Sequence, residues 1–118
     1  MKISLTQDAK RQLDLYYKEE LAPKNKYFRI AVSGKGCDGF EFVLGIDFQK
    51  SGDTLVLAEE NIPFLADFLV FNYAKNLFLD YLFDPLSQEE GFIIQEKEEN
   101  YKGKFWKKRP DLVVPLEV

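Results

Sequence analysis

Two runs of alternating apolar residues, joined by a glycine-rich turn, constrain the fold of this chain more than any other feature. The first run extends over 27–33 and the second over 40–48. Every second residue in each run is apolar, which is the period of a strand that packs one face on a core. Glycines 34, 36 and 39 suit the reversal between the runs. The sequence therefore predicts a β-hairpin with the chain's only cysteine, Cys37, at its tip.

Similar periodicities predict the elements around this hairpin. Ile3 and Leu5 indicate a short strand, and Thr6 is placed to cap an amphipathic helix that runs to about Leu21. Further strands are predicted over 54–58, 62–66, 77–83 and 91–95, with a short helix or turn up to about Asn76. Together these elements predict a strand-rich α+β fold with mixed sheets. We interpret residues 1–118 as one domain.

Composition bounds the class of protein. A net charge of -4 gives no general attraction to nucleic acids or anionic membranes, and no apolar stretch is long enough to span a bilayer. A single cysteine cannot form an internal disulfide, which suits a reducing compartment. The N-terminus turns polar too early for a secretory signal, so we expect a cytoplasmic protein. Since no catalytic base, nucleophile pair or cofactor loop is evident, we also expect that it is not an enzyme.

Three short motifs carry a resemblance to a known family. The segments 36–39 (Gly-Cys-Asp-Gly), 79–81 (Leu-Asp-Tyr) and 91–92 (Gly-Phe) occur in the order typical of the A-type iron-sulfur carrier family, also called HesB/IscA-like. This resemblance, which covers about residues 1–100, implies a HesB-like domain that forms a homodimer. It further implies a [2Fe-2S] cluster or iron shared between subunits, with Cys37 as the metal and cofactor ligand. Iron-sulfur assembly or recipient proteins are the implied partners.

The sequence departs from the family pattern in its ligand set. Lys102-Gly103-Lys104 stands where the family has a C-terminal Cys-Gly-Cys, and Asp38 stands where serine is usual. Iron-sulfur clusters are usually held by four thiolates. A dimer would supply two Cys37 thiolates, which leaves positions for Asp38, Glu41, water or an external thiol such as glutathione. We expect such a cluster to be labile. If Lys102 and Lys104 lie near Cys37, their charges would favour its thiolate and lower the pKa of the thiol.

Three other interpretations remain open at this point. Cys37 is an inherited remnant with no cofactor bound, or it is a redox-responsive thiol, or the chain is a degenerate carrier domain that acts as a protein-interaction module. Under the first interpretation the glycines serve backbone geometry alone. Asp38 and Glu41 are then solvated residues of the turn and strand.

The C-terminal tail, residues 101–118, is the second unusual feature. Its first part, Tyr101–Pro110, mixes basic and aromatic residues, a combination that can bind single-stranded nucleic acid. Five positive charges on an acidic protein make that a weak case, and we favour docking of Phe105 and Trp106 on the domain or on a neighbouring subunit. The following apolar stretch, 112–116, is suited to add a strand or to engage a partner.

Overall fold

The computed structural model of the chain describes residues 1–36, 39–84, 86, 88–96 and 116–117. Within these residues there are eight strands: β1 (Lys2–Leu5), β2 (Tyr27–Gly36), β3 (Gly39–Asp47), β4 (Thr54–Leu57), β5 (Pro63–Ala66), β6 (Asn76–Asp84), β7 (Glu89–Gln95) and β8 (Leu116–Glu117). The α-helices are α1 (Gln7–Tyr16) and α2 (Phe68–Tyr73). Each predicted strand is present to within a few residues. The α+β prediction is confirmed.

The strands form two mixed sheets. The larger has the order β4-β5-β2-β3-β8, with antiparallel β4/β5 and β2/β3 pairs and parallel β5/β2 and β3/β8 pairs. The smaller has the order β1-β6-β7, in which β1 is parallel and β7 antiparallel to β6. Strand β5, which lies between β4 and β2, is buried at all four of its positions.

The predicted hairpin is the pair β2/β3. Its strands pair from Tyr27 opposite Asp47 to Val32 opposite Phe42, and pairing resumes from Gly34 to the final pair, Gly36 opposite Gly39. Ser33 is therefore the extra residue of a β-bulge, which increases the local twist of a hairpin. The bulge divides the hairpin into a long inner part on the core and a short outer part, residues 34–36 and 39–41, which we call the hairpin arm.

A side-chain cap starts helix α1, and a residue in a left-handed conformation ends the helical segment that follows it. The Thr6 hydroxyl accepts a hydrogen bond from the Ala9 N–H at 3.2 Å and so caps the first turn. The helix continues as a π-helical turn, Tyr17–Leu21, and then as the 3₁₀ turn Ala22–Lys24. Asn25 stops it by adopting a left-handed conformation with φ of 57°. The helix predicted to about Leu21 is present as α1 and the π-helical turn that follows it, and a 3₁₀ turn adds Ala22–Lys24.

One hydrophobic cluster joins both sheets and α1. Leu13 from α1, Leu77 from β6 and Phe64 from β5 are all essentially inaccessible to solvent. The rings of Phe28 and Phe64 stack with centroids 5.6 Å apart. Phe48 corrects one expectation, because the sequence pattern placed it on the buried face of β3. It is 53% exposed, since the strand ends at Asp47 and the chain turns away from the sheet.

The C-terminal tail contributes strand β8, whose residues Leu116 and Glu117 pair with Gly45 and Ile46 of β3. The apolar stretch predicted to add a strand, 112–116, overlaps β8 at Leu116, and 112–115 lie outside the described residues. The basic and aromatic stretch Tyr101–Pro110 lies outside the described residues, so its predicted docking stays a prediction. Among the described helices, none is long and apolar enough to cross a membrane.

Candidate functional site

The hairpin arm is the part of the fold that flanks the predicted ligand. Cys37 and Asp38 lie outside the described residues, and chain order places them between Gly36 and Gly39, the last pair of the hairpin. On the described part of the arm, Glu41 is exposed, and its Oε2 lies 3.8 Å from the place where a Cβ on Gly34 would be. The ligand roles predicted for Cys37, Asp38 and Glu41 therefore stay predictions.

The described residues do not assemble a metal centre by themselves. Nowhere in 1–36, 39–84 or the shorter described segments do three or more acidic, cysteine or histidine side chains converge closely enough to hold a metal ion. Lys102 and Lys104, which were expected to influence the Cys37 thiol, are also outside these segments. A complete ligand set would need residues beyond the described ones or a second molecule.

A buried ionic cluster lies at the opposite end of the hairpin, and the sequence did not indicate it. Arg29 on β2 donates from Nε to Asp47 at 3.1 Å and from Nη1 to Asp53 at 2.8 Å. A second bond from Nη2 to Asp53 makes that contact bidentate, and Nη2 also reaches the Phe48 carbonyl at 3.4 Å. We call Arg29, Asp47 and Asp53 the arginine cluster. It ties both hairpin strands to the loop before β4.

The electrostatics of the arginine cluster favour its charged form. The hydrogen bond from Arg29 holds the pKa of Asp53 below its usual value and outweighs the opposing effect of burial. Burial pushes the pKa of Asp47 upward, but hydrogen bonds from Lys50 and the Phe48 N–H outweigh it and leave that pKa lowered. The hydrogen bond to Asp53 in turn raises the pKa of Arg29. All three groups thus remain ionised at neutral pH.

The Leu79-Asp80-Tyr81 motif fixes helix α1 to the small sheet. The Asp80 carboxylate accepts hydrogen bonds from the Thr6 hydroxyl and from the Tyr81 N–H, each at 2.8 Å. The Thr6 N–H donates to the Leu79 carbonyl at 3.0 Å. Because Thr6 also caps α1, one short motif anchors both the helix and strand β1. These contacts give the motif a structural role, since they hold α1 and β1 against β6.

Tyr81 connects this motif to the Gly91-Phe92 motif. Its ring lies 5.2 Å from the Phe92 ring, centroid to centroid, and its hydroxyl donates to the Glu90 carboxylate. Burial, together with the hydrogen bond to Glu90 and its negative charge, raises the pKa of Tyr81 to about 12. Two of the three motifs named in the family resemblance, 79–81 and 91–92, are therefore in contact across β6 and β7.

We expect Tyr81 to ionise at a higher pH than an ordinary tyrosine does. The chain has six tyrosines, and ultraviolet absorption of the tyrosinate form measures their ionisation. The titration curve of Tyr81→Phe should lack the ionisation with a pKa of about 12 that the unaltered protein shows. Because the folded pKa lies above the unfolded value near 10, the stability due to this group is intact below pH ~10 and is lost as the pH rises through the folded value. If the difference between the two titration curves were centred near pH 10, Tyr81 would not have a raised pKa.

Solved structures share this fold. Escherichia coli SufA, described as involved in the biosynthesis of iron-sulfur clusters, superposes with a TM-score of 0.62 at 17% identity, over 85% of this chain and 84% of that one. IscA with the [2Fe-2S] cluster superposes with a TM-score of 0.54 at 18% identity, over 79% of this chain and 80% of that one. At these identities the likeness concerns the fold, and it confirms the predicted HesB-like architecture.

Comparison of sequences identifies a relative whose function is named. No protein-family model matches the chain. The iron-sulfur cluster insertion protein ErpA of Hydrogenovibrio crunogenus is 26% identical over 93 residues, which are 79% of this chain and 80% of that protein. The chain thus resembles the A-type iron-sulfur carriers both in sequence and in fold. It departs from the pattern of those carriers at Lys102-Gly103-Lys104, where the resemblance would place Cys-Gly-Cys.

Proposed function

We propose that this protein acts as an A-type carrier in iron-sulfur cluster assembly, receiving a [2Fe-2S] cluster or iron as cargo and passing it to recipient proteins. The observation that carries the proposal is the similarity to a cluster insertion protein along most of both chains. Cys37 is the residue we assign as the cargo's ligand, because thiolate sulfur matches the soft, covalent iron-sulfur core. No catalytic step is needed for this role, so we propose a carrier rather than an enzyme.

The proposed active form is a homodimer in the cytoplasm. A two-fold axis would bring two copies of the same thiol to one cargo, which a single chain with one cysteine cannot do. A reducing compartment would keep that thiol free. Assembly proteins that load the cargo and recipient proteins that take it are the partners proposed for this dimer.

The test is anaerobic reconstitution with iron, sulfide and glutathione, followed by desalting and visible absorption spectroscopy. We expect a sulfur-to-iron charge-transfer spectrum that remains with the protein and disappears in Cys37→Ser. Ser51→Ala, in an exposed turn, is the matched control and should keep the spectrum. A spectrum of equal intensity in Cys37→Ser would remove Cys37 as the ligand. No spectrum in the unaltered protein would remove the cluster cargo.

A second candidate function is partner recognition without cargo. It is favoured by the apolar surface of α2, where Phe68 and Tyr73 are 77% and 64% exposed. Exposed apolar patches on soluble domains often mark interaction sites. A protein that stays colourless after reconstitution, and whose binding to other proteins survives Cys37→Ser, would fit this function better than the first.

A further inference from the structure

Helix α2 turns most of its apolar side chains to solvent. Val70 is buried, whereas Phe68, Leu69, Phe71 and Tyr73 are 77%, 44%, 39% and 64% exposed. We call these four exposed side chains the α2 patch. With about 200 Å² for a whole aromatic side chain, the patch presents on the order of 400 Å² of apolar surface. Because a specific interface buries about 800 Å² on each partner, the α2 patch is large enough to form the apolar centre of one.

The α2 patch lies at the same end of the large sheet as the hairpin arm. Strands β5 and β2 are parallel, with Ala66 opposite Ile30, so the chain leaves β5 towards α2 at the end where β2 continues into the arm. Helix α2 packs against both of these strands. A molecule that covers the α2 patch would therefore lie beside the base of the arm.

Charges of opposite sign lie at the two ends of α2. Asp67 is exposed at the N-terminal end, where its carboxylate caps the helix. Lys75 is exposed just beyond the C-terminal end, and exposed Lys2 lies beside it, since the Lys2 N–H donates to the Lys75 carbonyl at 2.8 Å. A two-fold axis perpendicular to α2 makes the helix of a second copy antiparallel, so that each carboxylate faces the lysines of the other copy. The surface is thus complementary to itself, whereas an anionic membrane would repel Asp67.

We propose that a second copy of this chain covers the α2 patch, with the two α2 helices antiparallel about a two-fold axis. This inference rests on the proposed homodimer and assigns its interface. Phe68, the most exposed side chain of the patch, lies at the centre, and the pairs between Asp67 and Lys75 set the register. One copy already buries its own core, so dilution should separate the copies without unfolding them. In the separated copies, substitutions in the patch should leave the free energy of unfolding almost unchanged.

Sedimentation velocity in reducing buffer, over a series of protein concentrations, tests this interface. We expect the unaltered chain to dimerise, and Phe68→Glu to raise the dissociation constant by more than about tenfold, because a carboxylate would be buried at the centre of an apolar contact. Phe48→Glu is the matched control, since it changes a phenylalanine that is 53% exposed at the other end of the hairpin, and it should leave the dimer intact. Circular dichroism of dilute samples should show that every variant is folded.

Lys75→Glu tests the antiparallel arrangement. It places a second carboxylate opposite the Asp67 of the other copy, so the dimer should weaken, and more strongly at low salt than at high salt. Adding Asp67→Asn removes that repulsion and keeps a side-chain oxygen that can cap α2, so dimerisation should be restored in part. A double variant that dimerises no better than Lys75→Glu alone would overturn the antiparallel arrangement.

The remaining outcomes separate the interface from the homodimer itself. Equal dissociation constants for the unaltered chain and Phe68→Glu would overturn the inference and leave the homodimer with another interface. An unaltered chain that stays monomeric at every concentration would overturn both. If that monomer sedimented with phosphatidylglycerol vesicles and Phe68→Glu did not, the α2 patch would bind a membrane instead of a second copy.

Discussion

Replacing Phe64 by alanine should lower the free energy of unfolding by about 3–5 kcal/mol, the range measured when a large aromatic side chain is removed from a packed core. Phe64 has no exposed surface, lies on the strand between β4 and β2, and stacks on Phe28. Its removal would leave a cavity that neighbouring strands cannot close without breaking their pairing. Since small domains have a total stability of about 5–15 kcal/mol, a loss of this size would be severe.

Phe68 provides a control in which the same atoms are removed from a different environment. It lies at the start of α2 and is 77% exposed, so Phe68→Ala should change the free energy of unfolding by less than about 0.5 kcal/mol. Urea unfolding followed by circular dichroism measures both variants. If the two variants lost unfolding free energy to within about 1 kcal/mol of each other, the difference in burial between Phe64 and Phe68 would not determine their contributions to stability.

Local periodicity predicted the elements because most of them bury one face only. The alternation along β2 and β3 reflects a hairpin whose one face packs on the core, with Ile30 and Leu44 buried. The segment from β5 to β6 has no such alternation, since β5 is buried at all four positions. There, Asp67 carries the decisive signal, because its carboxylate accepts from the Val70 N–H at 2.9 Å and caps α2.

The order of strands could not be predicted in the same way. Parallel β1 pairs with β6, which joins residues more than seventy positions apart, such as Ile3 and Leu77. No local pattern specifies such a pairing, since it depends on which apolar faces fit together after the strands have formed. The β-bulge at Ser33 could not be predicted from the sequence either, because a serine in an alternating run is compatible with ordinary strand pairing.

The resemblance to family motifs predicted the candidate site. The side-chain contacts around those motifs could not be predicted in this way. The family motif indicated Asp80, and the structure gives the reason, a hydrogen bond from the hydroxyl that caps α1. The arginine cluster was missed because Arg29 and Asp47 lie on the strand face that alternation assigned to solvent. Their burial arises when the turn at Lys50–Asp53, with Gly52 at φ +89°, folds Asp53 onto the guanidinium. A charge on each hairpin strand followed by an acidic turn is the signal that could have indicated it.

The arginine cluster should be essential for stability despite its distance from the hairpin tip. Arg29→Met keeps an unbranched apolar stem but removes the guanidinium, which leaves Asp47 and Asp53 as negative charges with side chains only 6% and 4% exposed. Removing one partner of a buried ion pair typically costs about 3–5 kcal/mol, because the remaining charge is desolvated without compensation. We expect a loss of that size in urea unfolding at neutral pH.

Two comparisons separate lost charge pairing from lost packing at Arg29. Adding Asp47→Asn and Asp53→Asn to Arg29→Met should recover part of the stability, because two buried charges that have lost the guanidinium are gone. The recovery is incomplete, since the side-chain contacts of Arg29 stay missing and the ion pair between Lys50 and Asp47 is lost as well. Lys18→Met breaks an exposed i,i+4 ion pair with Asp14 at 3.0 Å and should cost no more than about 0.5 kcal/mol. If Arg29→Met cost as little as Lys18→Met, or if the triple variant were less stable than Arg29→Met alone, the cluster would not hold the inner end of the hairpin through its charges.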